Sequence, residues 1–118
     1  MINILVADDH AVVREGVKQI IADVSDMLVK DEANNGHETL KKVMSNEYDV
    51  VLLDISMPGR SGLELLEDIK SQRPKLPVLI LSMHPEKQYA FRALRAGASG
   101  YLTKASAPQE LIGAIRKA

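Results

Sequence analysis

Three short runs, INILVA (Ile2 to Ala7), DVVLLDI (Asp49 to Ile55) and PVLILS (Pro77 to Ser82), are apolar almost without interruption. Runs of this length without polar alternation read as strands buried on both faces. Such strands need cover on two sides, and the segments between them supply it. Val12, Val13, Gly16, Val17, Ile20 and Ile21 recur at helical spacing, as do Leu40, Val43 and Met44, and then Leu63, Leu65, Leu66 and Ile69. MLVKDEA (Met27 to Ala33) reads as a further strand, with Asn35-Gly36 as a turn after it. Glu86 to Ala96 has a helical pattern, GYL (Gly100 to Leu102) makes a brief fifth strand, and Pro108 fits the first turn of a last helix carrying Leu111, Ile112 and Ile115. Five strands alternating with five helices predict an α/β fold: βαβ units forming one doubly wound parallel sheet, covered on both faces.

Length allows one domain of this kind, since 118 residues leave little room for a second. With aromatics at 3%, the core must be aliphatic. Fifteen basic and 16 acidic residues leave a net charge of -1, too little to hold nucleic acid or an anionic membrane by charge alone. The absence of cysteine excludes a disulfide scaffold, a thiol nucleophile and a thiolate zinc site. No apolar run approaches the roughly 18 residues of a membrane helix, and the first ten residues lack the features of a signal peptide. A cytoplasmic protein with no membrane partner is the expectation.

In open parallel sheets, ligands bind beyond the carboxyl ends of the strands. The first strand leads into Asp8, Asp9 and His10, and the third ends on Asp54. The fourth ends on Ser82, with Met83 and His84 behind it, and the fifth leads through Thr103 to Lys104. Three carboxylates, a hydroxyl and an ammonium are therefore expected on one edge. Carboxylates left together raise one another's pKa, and a hard divalent cation such as Mg2+ resolves the conflict. Lys104 and Ser82 have no part in a pure metal site but suit an arriving phosphoryl group. Asp54 is the candidate to receive it, because a carboxylate can act as a nucleophile and form an acyl phosphate.

Taken singly, these residues have plainer readings. Asp8 could cap the following helix. Ser82 could be a satisfied loop hydroxyl, Lys104 a solvated charge, and Tyr101 a packing residue. His10, His37 and His84 show no metal-ligand spacing and read as surface histidines. Arg92, Arg95, Arg116 and Lys117 read as solvated helix faces or a partner contact. Only their joint placement at strand ends lifts Asp9, Asp54, Ser82 and Lys104 above those readings.

The phrases VADDHAVVREG, DVVLLDISMPGRSGLELL, LSMH and RALRAGASGYLTKASAPQELIGAI occur in order and in matching strand contexts. On them the chain resembles, nearly end to end, the receiver domain of two-component response regulators, the CheY-like family, in its NarL/FixJ (LuxR-type) branch. The resemblance implies a flavodoxin-like (βα)5 sandwich with strand order 2-1-3-4-5 and a single receiver domain over residues 1–118. It also implies a helix-turn-helix output domain in a longer protein. Asp54 would be the phosphoacceptor, assisted by Lys104 and Ser82. Asp9, Asp54 and the backbone carbonyl of Ser56 would hold Mg2+, for which Mn2+ could substitute, with Asp8 contributing directly or through water. Ser82 and Tyr101 would form the switch pair, and Ser56 and His84 would tune dephosphorylation. The implied partners are a sensor histidine kinase, a second copy on activation, and DNA only through the output domain.

The resemblance further implies that the domain catalyses only its own phosphorylation and dephosphorylation. An aspartyl-phosphate-forming phosphatase of the haloacid dehalogenase type would instead carry an Asp-x-Asp pattern on the first strand, where this chain has Asp8-Asp9-His10. A degenerate receiver, acting unphosphorylated as an interaction module, would lack residues that are all present here. One departure from the family is Ala105 after Lys104, where proline, often cis, is usual. The isomer is therefore not carried over.

Overall fold

Alternation along each strand decides which layer a residue enters. The computed structural model describes residues 1–55, 57, 61–83 and 87–118, with backbone alone at residues 87 and 88. Its elements alternate throughout: β1 (Ile2–Ala7), α1 (Ala11–Ala22), β2 (Met27–Ala33), α2 (Gly36–Ser45), β3 (Val50–Asp54), α3 (Gly62–Gln72), β4 (Val78–Ser82), α4 (Lys87–Arg95), β5 (Gly100–Thr103) and α5 (Ala107–Lys117). All strand pairs are parallel and the order is β2-β1-β3-β4-β5, the CheY-like flavodoxin arrangement.

Every residue of β3 and β4 is buried, as continuous apolar runs require. Leu5, Ala7, Val51, Leu53, Val78 and Ile80 enter one layer with Val43 of α2, Leu66 and Ile69 of α3, and Ala93 of α4. Ile4, Val6, Val50, Leu52, Leu79 and Leu81 enter the other, with Val17 and Ile21 of α1 and Leu111 and Ile115 of α5. Full burial of each Val, Leu or Ile side chain among these stabilises the fold by roughly 1.5–3 kcal/mol before entropy is subtracted.

The chain reverses direction across the sheet between β1 and β3, the topological switch point where α/β sheets open a crevice. Close packing guards the segment after β3. A Cβ on Gly62 would stand 2.4 Å from the Ile55 carbonyl oxygen, so the start of α3 can approach this segment only as glycine.

Two local expectations change. Asn35-Gly36 is not a free turn but the start of α2: Asn35 is the N-cap, and its side chain accepts from Glu38 N at 2.8 Å. An Asn-Gly pair satisfies a hairpin turn and a capped helix start equally well, and here the helix wins. Arg116 is not merely solvated. Its Nη1 and Nη2 donate to Asp26 Oδ2 and Oδ1 at 2.8 and 3.0 Å, tying the end of α5 to the turn before β2.

Candidate functional site at the carboxyl edge of the sheet

Asp8 is held by three bonds, two through its backbone and one through its carboxylate. Its N–H continues the β1–β2 ladder by donating to Ala33 O at 3.0 Å. Its carbonyl accepts from Arg14 Nη1 at 2.7 Å, and its Oδ1 accepts from His10 N at 2.8 Å. That last bond replaces the expected role of Asp8 as helix cap. The N-cap of α1 is His10, which makes no side-chain cap bond, because the Asp8 carboxylate is already engaged two residues on.

Asp54 ends β3 fully buried, and Ile55 N donates to Leu81 O at 3.2 Å to hold the strand end. Lys104 is set beside it by the same means, its N–H donating to Ser82 O at 2.8 Å and so extending the β4–β5 ladder past Thr103. Thr103 and Ser106 then lock the turn through Oγ1 and Oγ, 2.9 Å apart. The Lys104–Ala105 peptide is trans.

Counted in twos, Asp8 follows Ile4 and Val6, Asp54 follows Val50 and Leu52, and Lys104 follows Leu102. All five apolar residues pack on the α1/α5 side. Shared parity thus brings three side chains from three strands to one point. Lys104 Nζ lies 2.9 Å from Asp8 Oδ2 and 3.4 Å from Asp54 Oδ2, ion-pair contacts without hydrogen-bond alignment. Both carboxylates are wholly buried and the lysine side chain is 10% exposed. Asp9 is partly buried at the mouth.

Among the described residues, one ammonium faces three carboxylates at this edge, and gathering like charges in a buried site is expensive. Ligand atoms of Asp8, Asp9, His10 and Asp54 all lie within 4.8 Å of one another. Asp8 Oδ2 and Asp9 Oδ1 are buried oxygens that accept no hydrogen bond from the described residues. This donor set fits a hard divalent cation.

Asp8, Asp9, Asp54 and Lys104 are therefore brought together as expected. Ser82, buried at the end of β4, lies on the neighbouring strand, opposite Thr103. Tyr101 pairs with Ile80, two residues before Ser82, and packs on the α2–α4 side. Ser56 and His84 fall outside the described residues. Two contributors were not anticipated. His10 joins the cluster because the Asp8 contact folds the loop back, which spacing alone cannot reveal. Arg14 anchors the Asp8 carbonyl while its Nε pairs with Glu32 Oε1 at 3.0 Å. An open groove of about 630 Å³ between Asn3, Tyr48, Arg73 and Leu76 lies at the opposite edge and holds none of these groups.

A doubly wound sheet with a buried carboxylate cluster and a lysine beside its switch point defines a CheY-like α/β domain with a cation-ready edge. Residues 4–116 match the response regulator receiver domain, and the chain belongs to that family. It is 41% identical over 116 residues to the response regulator UvrY of Escherichia coli K12, covering 98% of this chain and 53% of UvrY. It is 44% identical over 114 residues to the oxygen regulatory protein NreC of Staphylococcus carnosus, covering 96% of this chain and 52% of NreC. A LuxR-family two-component response regulator from Aurantimonas sp. SI85-9A1 superposes with a TM-score of 0.91 at 36% identity, covering 97% of this chain and 81% of that one. These relatives place the domain in the NarL/FixJ (LuxR-type) branch. The chain spans about half the length of the two curated relatives.

Proposed function

We propose that this receiver domain accepts a phosphoryl group on Asp54 from a sensor histidine kinase and thereby changes its own interaction surface. The observation that carries the reading is Asp54 itself. A wholly buried carboxylate is delivered to the sheet edge with Lys104 Nζ 3.4 Å from its Oδ2. In the transfer, a carboxylate oxygen of Asp54 attacks phosphorus, the P–N bond of the kinase phosphohistidine breaks, and the imidazole leaves with the electron pair. Lys104 pairs with a phosphoryl oxygen, and the Ser82 hydroxyl donates to another. Asp9, Asp54 and the Ser56 carbonyl would hold Mg2+ or Mn2+, with Asp8 acting directly or through water. That ion supplies neutralisation of the charge gathering on the phosphoryl oxygens.

The switch follows from strand register. Ser82 shares the side of Ile80, and Tyr101 stands opposite Ile80 on β5, so both belong to the side covered by α4. A hydroxyl drawn toward the phosphoryl group leaves room for the ring to move inward, and the surface around α4 and β5 is remodelled. Water later attacks phosphorus and restores the carboxylate, at a rate tuned by Ser56 and His84. The domain turns over no external substrate. In the full-length protein it would act in the cytoplasm, pairing with a second copy on activation and controlling DNA through a helix-turn-helix domain. Among the described residues, no helix is long and apolar enough to cross a membrane.

Incubation with a small phosphodonor and Mg2+, followed by intact-mass measurement, tests this. One phosphoryl adduct is expected, absent from Asp54→Asn. Continuous phosphate release from varied substrates would instead favour a phosphatase, and no adduct would mark an unphosphorylated interaction module.

A further inference from the structure

Magnesium is served by oxygen ligands alone, so the imidazole at the mouth of the acidic edge asks for a different explanation. Resting on the reading of that edge as a divalent-cation site, we propose that it also takes a borderline transition ion of the zinc class. His10 Nδ1 would ligate that ion together with the Asp8 and Asp9 carboxylates.

Geometry supports the assignment. His10 Nδ1 lies 3.2 Å from Asp8 Oδ1 and 3.2 Å from Asp9 Oδ1. Ligand atoms about 2.0–2.2 Å from a zinc ion stand about 2.9 Å apart at a right angle and about 3.4 Å apart at the tetrahedral angle. Both observed separations fall within that interval. Asp54 offers a further carboxylate oxygen in the same group, within 4.8 Å. Asp9 Oδ1 is also a buried oxygen that accepts no hydrogen bond from the described residues, and it faces the imidazole nitrogen.

Chemistry decides which ion this favours. Carboxylates suit magnesium and manganese, whereas imidazole suits zinc, nickel and copper, and affinity at a given site rises from manganese through nickel to copper and falls back at zinc. His10 therefore adds affinity for transition ions and little for magnesium. Because both classes of ion use the same carboxylates, they compete for one position. The plainer account is that Nδ1–H donates to Asp8 Oδ1 and only braces the loop. In that case His10 has no bearing on ion choice.

The test uses metal-free protein titrated calorimetrically with zinc chloride alone and with magnesium chloride alone. Wild type, His10→Gln and Asp9→Asn are compared in a background carrying His37→Gln and His84→Gln, so that no other imidazole can bind. The His10 side chain is 60% exposed, so its replacement leaves the core intact. His10→Gln is expected to weaken zinc binding about tenfold or more and to change magnesium binding by less than about threefold. Saturating magnesium should raise the apparent zinc dissociation constant, and Asp9→Asn should weaken both ions. Unchanged zinc affinity in His10→Gln, or an equal loss for both ions, overturns the proposal and leaves the magnesium reading standing. Zinc binding through His10 without any magnesium binding supports the proposal and overturns the magnesium reading. No binding of either ion overturns both.

Discussion

Both ends of the sheet carry carboxylates, but away from the carboxyl edge Asp49, Asp26 and Asp31 each have a partner of their own. There Asp49 Oδ2 accepts from Asn3 N at 2.7 Å, and Asp49 N returns a bond to Asn3 O at 2.8 Å. Asp26 faces the Arg116 guanidinium through two hydrogen bonds. Along β2, the Tyr48 hydroxyl donates to Asp31 Oδ2 at 2.7 Å. At the carboxyl end, Asp8, Asp9 and Asp54 gather around Lys104 and the His10 imidazole. The same residue type thus closes structure at one edge and leaves a demand for positive charge at the other. That demand is what a metal ion and a phosphoryl-transfer reaction require.

The sharpest way to break this comparison is to remove the Lys104 ammonium. Lys104→Met removes the ammonium that faces the buried Asp8 and Asp54 carboxylates, and stability in EDTA should fall by about 3 kcal/mol. Magnesium should restore part of the loss by occupying the same negative site. Urea denaturation with and without Mg2+ measures both effects. Equal midpoints for variant and wild type in EDTA would mean that the edge is already compensated. Asp54→Asn should act in the opposite direction and less strongly. It relieves repulsion among the carboxylates while Lys104 keeps Asp8 at 2.9 Å, so metal-free stability should rise by about 1 kcal/mol. Added magnesium should narrow or reverse that gain. A destabilised Asp54→Asn in EDTA would show that Lys104 satisfies the cluster unaided.

Much of this was legible because strands buried on both faces leave an unambiguous apolar run. β1 and β2 have the bounds read from sequence, and β3, β4 and β5 differ by a residue or two at their ends. Knowing where each run stops placed Asp9, Asp54, Ser82 and Lys104 on one edge, since strand direction in a parallel sheet carries all carboxyl ends the same way. What stayed hidden depends on side chains choosing among local bonds. Asp8 could cap α1 or hold the His10 N–H, and nothing in its spacing decides between them. That choice in turn brings His10 into the cluster. Arg14 was invisible for a related reason: its target is a backbone carbonyl, which every residue has.

The smallest expected effect lies at the neutralised edge and checks that it is closed. The hydrogen-bonding Arg116 guanidinium beside Asp26 holds that carboxyl below the usual carboxylate range. A depressed pKa contributes stability that is fully present above the unfolded value, about 4, and lost as pH falls through the lower folded value. Asp26→Asn should therefore lower the thermal midpoint slightly at pH 7, and the two curves should converge as the pH drops below about 4. Because the pair is half exposed, added salt should shrink even the neutral-pH difference. Magnesium should leave it unchanged, in contrast to both carboxyl-edge variants. A magnesium-dependent shift in Asp26→Asn would mean that the two edges are electrostatically coupled, and the contrast between a closed edge and an open one would fail.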